Sequence, residues 1–226
     1  MAACEKAFKL LESGRSALDA SVEATCILED DGRFNAGSGS IIRLDGRTVE
    51  MDAAVMDSQG NIGSVISIRN VKNPIAVARA VIDTPHVALS GQGATAYAVR
   101  RGFAPLKCVS PSALDRYERL RHLIQEGKTG DVNPRLRGYD IKALWNFEGV
   151  SYSDVFSHDK VGVAVLDPDG HFAVATSMGG ASPMMLGRVG DTPIDRVRFL
   201  RRSCRCGSMH RSGRRDCPED AGEESI

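Results

Sequence analysis

Four residues of metal-binding types stand close together near the end of the sequence: Cys204, Cys206, His210 and Cys217. Thiolates and imidazoles are the ligands that structural zinc prefers, and four of them can complete a tetrahedral site. Their spacing, C-x-C-x3-H-x6-C, is not one of the common zinc patterns. We therefore keep a zinc site only as an alternative reading of this segment.

The same segment, residues 195–226, holds eight arginines but a single aromatic residue, Phe199, and no regular spacing. An RNA-binding tail, the second alternative, is expected to combine basic residues with aromatic side chains that stack on bases. With almost no apolar run, the segment is predicted to be disordered. The whole chain has 29 basic and 29 acidic residues, so its net field attracts neither nucleic acid nor an anionic membrane.

The elements that must position any site lie upstream of residue 195. Helices are predicted over Ala3–Glu12, after a cap at Ser16 and after a cap at Asn73, where Pro74 takes the first helical position. One hairpin is predicted around Asp45-Gly46, between "SIIRL" and "TVEMDAAVMD", and "NIGSVISIRNV" reads as a third strand. "HVALSGQGATAYAVRRG" predicts a short strand, a turn and a helix.

A second hairpin joins Val161–Leu166 to His171–Ala175 through "DPDG". Residues 109–157 are polar and irregular and read as a mobile connector with a helix near Ala113–Glu126. Helices, strands, a connector and more strands predict an α+β fold with one core in 226 residues. Six scattered cysteines, no apolar signal core and no run of about 20 apolar residues predict a reduced, cytoplasmic protein.

Six motifs then occur in a fixed order: "LEDDGRFNAGSGS", "EMDAAVMD", "VKNPIAVARAV", "TPHVALSGQGA", "HDKVGVAVLD" and "GRVGDTP". In this order they resemble the plant-type L-asparaginase and isoaspartyl peptidase branch of the N-terminal-nucleophile (Ntn) hydrolases, related to glycosylasparaginase. The resemblance runs from about Ala3 to Ile194. It implies a four-layer αββα sandwich and an amidohydrolase that cleaves L-asparagine or β-aspartyl dipeptides.

The resemblance also implies roles for particular residues. In this family a threonine splits the chain before itself, and its freed α-amine then serves as general base. Arg188 and Asp191 match the pair that holds the substrate's carboxylate and amine, and Asn35 matches a residue near the nucleophile. No organic cofactor is implied, but a structural sodium ion and a homodimer are. The backbone carbonyls implied for sodium belong to Leu28, Glu29, Asp31, Phe34, Ala36 and Ser38.

The sequence departs from the family pattern at the catalytic positions. The nucleophilic threonine falls at Lys160, whose ammonium, with an ordinary pKa of about 10.4, has no hydroxyl and is not a nucleophile at neutral pH. A second active-site threonine falls at Met178, a residue type that fills cores. The family's first strand and its His-Gly-Gly loop would precede Met1, so the domain is expected to be incomplete at both termini.

The tail after Ile194 has its own interpretation. Read one base further on in permitted codons, residues 194–206 can spell "SIGFGFYAGPAGA" and residues 213–226 "GEEIARKMLAKRVY", which resembles the family's C-terminal segment. We therefore expect residues 1–194 to form the domain and 195–226 to be a shifted frame. Three functional hypotheses remain: an amidohydrolase, a non-catalytic remnant that binds asparagine-like ligands or pairs with an intact relative, and a product that hardly folds.

Overall fold

The computed structural model describes residues 2–125, 160–181, 184–193, 199–202 and 205–208, the last two ranges by their backbone. The helices are α1 (Ala2–Glu12), α2 (Ala17–Asp31), α3 (Pro74–Val81), α4 (Gly91–Arg100) and α5 (Pro111–Gln125), with a short 3-10 turn at Gly37–Gly39. The strands are β1 (Met51–Asp57), β2 (Ile62–Ile68), β3 (Ala88–Ser90), β4 (Val161–Leu166), β5 (Phe172–Met178), β6 (Phe199–Arg202) and β7 (Arg205–Ser208).

Local signals place the first two helices where the sequence predicts them. The Ser16 hydroxyl accepts a hydrogen bond from the Asp19 amide at 3.1 Å, as an N-cap residue should. Helix α2 ends at Gly32, whose φ of 76° is the left-handed conformation that glycine adopts without a steric penalty. Helix α5 corresponds to the helix predicted near Ala113–Glu126. Residues 126–157 of the predicted connector lie outside the described residues.

Five strands form one mixed sheet in the order β3-β2-β1-β5-β4. The pairs β1–β2, β1–β5 and β4–β5 are antiparallel, whereas β2–β3 is parallel. The hairpin predicted around "DPDG" is confirmed as β4 and β5, and "NIGSVISI" is confirmed as β2. The α+β class predicted from the sequence is therefore observed.

The hairpin predicted around Asp45-Gly46 is wrong in its pairing. The turn exists: the Asp45 carboxylate accepts the Thr48 amide at 2.8 Å, and the Arg43 amide donates to the Thr48 carbonyl at 2.7 Å. Residues 40–44 nevertheless form no strand. Because β2 and β5 already occupy both edges of β1, that strand has no edge left for them.

Asn73 is the N-cap residue of α3 and Pro74 opens the helix, as predicted, but the Asn73 side chain makes no capping bond to α3. Its amide donates to the Asp30 carboxylate at 3.0 Å and thereby ties α3 to the end of α2. The Ile75 amide at the start of α3 donates instead to the buried Glu29 carboxylate at 3.1 Å. A carboxylate from a neighbouring helix thus satisfies one of the unpaired amides that every helix start exposes.

The main core lies between the sheet and helices α1 to α4, and Val55 and Val65 are fully buried in it. Alternate residues of β1 and β5 point to the opposite face, where Ala54, Met56 and Val174 form a second, smaller cluster. Strand β1 is therefore buried on both faces, which is typical of a strand inside a layered fold.

Strands β6 and β7 form a two-stranded hairpin within the segment that the sequence predicts to be disordered. Of the alternative zinc ligands, Cys206 falls in β7, where the backbone alone is described. The other three and the rest of residues 195–226 lie outside the described residues, so the interpretation of this segment stays a prediction. In the described part of the chain, no helix has the length and apolarity that crossing a bilayer requires.

Candidate active site

Lys160 and Met178, where the resemblance implies two active-site threonines, lie together at one end of the sheet. Lys160 directly precedes β4, whose first residue, Val161, pairs with Ser177 of β5. Met178 is the next residue of β5 and pairs on its other side with Asp52 of β1. Lys160 and Met178 therefore lie beside each other although 18 positions separate them in the sequence.

Asn35 lies at the same end of the sheet and is almost completely buried. Its side-chain amide donates to the Gly180 carbonyl at 2.6 Å, and its side-chain oxygen accepts the Ile41 amide at 3.2 Å. Its own backbone carbonyl accepts the Gly179 amide at 2.8 Å. These bonds fix the backbone of Gly179 and Gly180, which follow Met178. Asn35 therefore positions the chain next to the candidate site.

Arg188 and Asp191 are presented on one loop, residues 184–193, which two buried acids anchor. The Glu50 carboxylate accepts the Gly187 amide at 3.1 Å, and the Asp52 carboxylate accepts the Gly190 amide at 2.9 Å. Residues 50 and 52 are two apart at the start of β1, so both side chains point to the same face of the sheet. Arg188 is consequently held between two fixed backbone points.

Gly190 is the closest point of approach in this loop. A side chain at Gly190 would overlap the Met178 methyl group, and its β-carbon would lie 2.8 Å from the Asp52 carboxylate and 3.3 Å from the Arg188 guanidinium. Met178 thus packs under the loop that carries the two ligand-binding candidates. Where the resemblance implies a threonine hydroxyl, this chain has an apolar contact.

A bulge in β2 aims a backbone amide at Asp52. Two residues of β2, Ile66 and Ser67, stand opposite Asp52 alone, because Met51 pairs with Ile68 and Ala53 with Val65. Ser67 has a φ of 49° and donates its amide to Asp52 at 2.9 Å. Burial raises the pKa of Asp52, while its two backbone amide bonds partly offset that effect.

Glu50, which anchors the 184–193 loop, lies between two arginines. Its carboxylate bonds to Arg69 at 2.6 Å and lies 3.6 Å from Arg43. Arg43 is 1% exposed and also donates to the Glu50 carbonyl at 2.9 Å. Burial lowers the pKa of Arg43 to about 10, although Glu50 and Asp52 act in the opposite direction. These acids and arginines, all buried except the partly exposed Arg69, form a charged support for the loop.

The Lys160 ammonium donates a hydrogen bond directly to the Asp191 carboxylate. The two side chains are only 15% and 32% exposed, so the pair is partly shielded from water. The residue at the nucleophile position thus bonds to the residue that the resemblance assigns to the substrate amine. Thr176 and Ser177 directly precede Met178, and Thr192 follows Asp191. All three hydroxyls are buried, which leaves them inaccessible to a ligand.

Two of the carbonyl groups implied for sodium, those of Glu29 and Phe34, lie close to the 3-10 turn at Gly37–Gly39. A β-carbon at Gly39 would overlap the Phe34 oxygen and lie 2.7 Å from the Gly32 oxygen, and one at Gly37 would lie 2.5 Å from the Glu29 oxygen. The glycines therefore let several carbonyls approach one small region. Neutral oxygens of this kind suit a hard cation, so the residues present fit sodium in type.

Internal hydrogen bonds use part of the capacity of these carbonyls. The Glu29 oxygen accepts the Ser38 hydroxyl at 2.9 Å, and the Ser38 oxygen accepts the Ser110 amide at 2.7 Å. The Phe34 and Ala36 oxygens accept backbone amides at 2.9 and 3.0 Å. Each carbonyl oxygen has two lone pairs, so one such hydrogen bond does not by itself exclude contact with a cation.

A cleft of about 930 Å³ lies on the other side of the loop, between the end of β2 and the start of α4. Its lining includes Glu50, Arg69, Gln92 and Gly187 but none of the site residues proposed from the sequence. We place the candidate site at Lys160, Arg188 and Asp191, because the charged groups converge there.

The Arg188 guanidinium and the Asp191 carboxylate, on one anchored loop, have the charges that bind a carboxylate and an amine. A family model described as asparaginase matches residues 1–195, and the chain belongs to this family.

The chain is similar to three enzymes among others. It is 37% identical to the isoaspartyl peptidase of Escherichia coli (strain K12) over 191 residues, which are 82% of this chain and 54% of that protein. It is 42% identical to the plant-type L-asparaginase of Thermococcus kodakarensis over 186 residues (79% and 55%). It is 38% identical to the isoaspartyl peptidase/L-asparaginase of Macaca fascicularis over 191 residues (82% and 54%). The chain spans about half the length of these relatives.

Sequence reasoning missed the residues that support the loop, namely Arg43, Glu50, Asp52 and Ser67. One signal was available: in "EMDAAVMD" two acids alternate with apolar residues at the start of a buried strand. Buried acids require partners, so their presence indicates a polar network at that end of the sheet.

Proposed function

We propose that this chain carries the ligand-binding site of an asparaginase and isoaspartyl peptidase without its catalytic nucleophile. The observation that carries this proposal is the contact between Lys160 and Asp191. A free threonine at position 160 would supply both a hydroxyl and an α-amine, whereas a lysine within the chain supplies neither. We therefore infer that the chain does not split itself and does not hydrolyse amides.

The retained function is the binding of small asparagine-like ligands. Arg188 is exposed, and no carboxylate of the described residues lies within ion-pair distance of its guanidinium. A guanidinium of this kind binds a carboxylate through two parallel hydrogen bonds. The anchors at Glu50 and Asp52 fix the backbone on both sides of Arg188, which lowers the entropic cost of ordering the loop on binding.

Calorimetric titration with L-asparagine and with succinamate, which is asparagine without its α-amine, tests this proposal. We expect at least one of them to bind the parent chain, and Arg188→Ala to weaken that binding about 10-fold or more, a loss of about 1.4 kcal/mol. Arg100→Ala, an exposed arginine of α4, is the matched control and should leave the affinity unchanged. Equal affinities for the parent and Arg188→Ala would refute the assignment of the site.

The alternative is a chain that pairs with an intact relative. The burial of β1 on both faces supports a second sheet behind the first, as in an αββα sandwich, and we propose that architecture and a homodimer on family grounds. Size-exclusion chromatography with light scattering, of the chain alone and mixed with a full-length relative, distinguishes the two assemblies. A chain that elutes as a monomer in both samples would refute the dimer.

We also propose that the carbonyls around Gly37–Gly39 hold a sodium ion that stabilises the loop between α2 and β1. Binding to the folded state alone raises the melting temperature with ligand concentration. We expect a higher melting temperature in sodium chloride than in choline chloride at equal ionic strength. Equal values would contradict the sodium site.

Two further proposals concern context. The match to the family model over residues 1–195 supports the interpretation of the following residues as a shifted frame, which sequencing of the transcript would test. Cys4, Cys26 and Cys108 are free thiols, which supports a reducing, cytoplasmic location. Fractionation of the source cells would test that location.

A further inference from the structure

The Lys160–Asp191 pair has a consequence for which ligands the site accepts. The Lys160 ammonium bonds to the carboxylate on which an incoming ligand's amine would depend. An ammonium ion on a four-carbon stem is chemically the same group as the α-ammonium of an amino acid. Asp191 is therefore already neutralised by a cation that belongs to the chain.

The loop has little freedom to carry Asp191 away from Lys160. Its backbone is bonded to Glu50 and Asp52 at two points, one of them directly beside Asp191. Lys160 is fixed in turn by the pairing of β4 with β5 that starts at the next residue. Both partners are thus attached to the same sheet, and neither requires a rearrangement to keep the contact.

The arginine on the same loop stays available, because the Lys160 ammonium neutralises Asp191 and not Arg188. The local charge is then one guanidinium without a carboxylate in ion-pair range among the described residues. An ammonium ion brought to this place would meet Lys160 at short range, where like charges repel strongly in a partly shielded site. A carboxylate without an ammonium would be attracted by both cations, and the Asp52 carboxylate, which also acts on Arg188, is already bonded to two backbone amides.

We propose that the Lys160 ammonium replaces the ligand's amine at Asp191, so that the site selects small carboxylates that lack a neighbouring ammonium. This inference rests on the proposed binding function and narrows its ligand class. Lys160 is then a specificity-determining residue, and free asparagine is a poor ligand of the unmodified chain. The competing explanation is an ion pair that stabilises the fold without influencing ligand choice.

A matched pair of ligands distinguishes the two explanations, since succinamate differs from L-asparagine by the absence of the α-amine. In the parent chain we expect the dissociation constant for succinamate to be at least about 10-fold lower than that for asparagine. In Lys160→Gln we expect asparagine to bind more tightly than it binds the parent chain, whereas succinamate should not. The ratio of the asparagine to the succinamate dissociation constant should therefore shrink about 10-fold or more. A general loss of positive charge would weaken both ligands instead.

Lys6→Gln is the control, because Lys6 forms an exposed ion pair with Glu23 between α1 and α2. The ratio of the two dissociation constants should be the same in Lys6→Gln as in the parent chain. Lys160→Met, which keeps the aliphatic stem, is the second variant if Lys160→Gln does not melt cooperatively. The comparison of the two ligands on the parent chain requires no variant.

The outcomes separate this inference from the function on which it rests. If Arg188→Ala weakens binding as expected, but both ligands bind the parent equally or the ratio of their dissociation constants is the same in Lys160→Gln, the site stands and the inference fails. If neither ligand binds the parent or any variant, the proposed function fails and the inference fails with it.

Discussion

Replacing Glu29 by glutamine should make the fold more stable at high pH. Glu29 is 0% exposed and accepts the Ile75 amide at the start of α3. Burial raises the pKa of its carboxyl group from 4.5 to about 8, and the Ile75 amide only partly offsets that effect. Glutamine keeps an oxygen for Ile75 and removes the charge.

The sign and size of the effect follow from proton linkage. Between pH 4.5 and about 8 the folded chain keeps a proton on Glu29 that the unfolded chain releases, so stability falls as the pH rises through this window. A pKa raised from 4.5 to about 8 corresponds to a maximum of roughly 5 kcal/mol at 1.36 kcal/mol per pKa unit, and local relaxation reduces it. We therefore expect the unfolding free energy of Glu29→Gln, relative to that of the parent chain, to be about 2 to 5 kcal/mol higher at pH 9 than at pH 4.

Urea unfolding followed by circular dichroism, from pH 4 to 9, measures this difference. Glu23→Gln is the matched control, because Glu23 lies on the same helix with 52% of its side chain exposed. Its difference from the parent chain should not change with pH. The reasoning is refuted if the difference between Glu29→Gln and the parent chain is likewise independent of pH.

Three further changes test the packing and the chemistry. A β-carbon at Gly63 would overlap a backbone carbonyl of α3, so Gly63→Ala should cost about 1–3 kcal/mol of unfolding free energy, whereas Gly93→Ala, with open space, should be neutral or stabilising. Glu50→Gln removes the charge that pairs with buried Arg43, and we expect a loss of about 3 kcal/mol in urea unfolding. Lys160→Thr should release no ammonia from asparagine, because the second threonine position remains a methionine; turnover would refute our account of that residue.

Much of the fold could be predicted from local patterns. The Ser16 cap, the helix at α5 and the hairpin of β4 and β5 all depend on residues a few positions apart. The pairing of residues 40–44 could not be predicted in this way. A turn at Asp45-Gly46 favours a hairpin locally, but β2 and β5, which lie elsewhere in the sequence, had already taken both edges of β1.

The candidate site, like the fold, could be predicted from the sequence only in part. Arg188, Asp191 and Lys160 could be proposed from short motifs, since residue type and order carry that information. Their support could not, because Asp52 and Gly190 meet across 138 positions. The contact of Lys160 with Asp191 likewise depends on the tertiary fold, which brings the start of β4 to a loop 31 residues further along.

The central claim is that position 160 no longer supports self-cleavage. The most direct test is the intact mass of the 226-residue chain after purification and prolonged incubation at neutral pH. We predict one species near 24.3 kDa. Two fragments that divide immediately before Lys160 would contradict the account, because they would require a chain-splitting nucleophile at the position where this chain has a lysine.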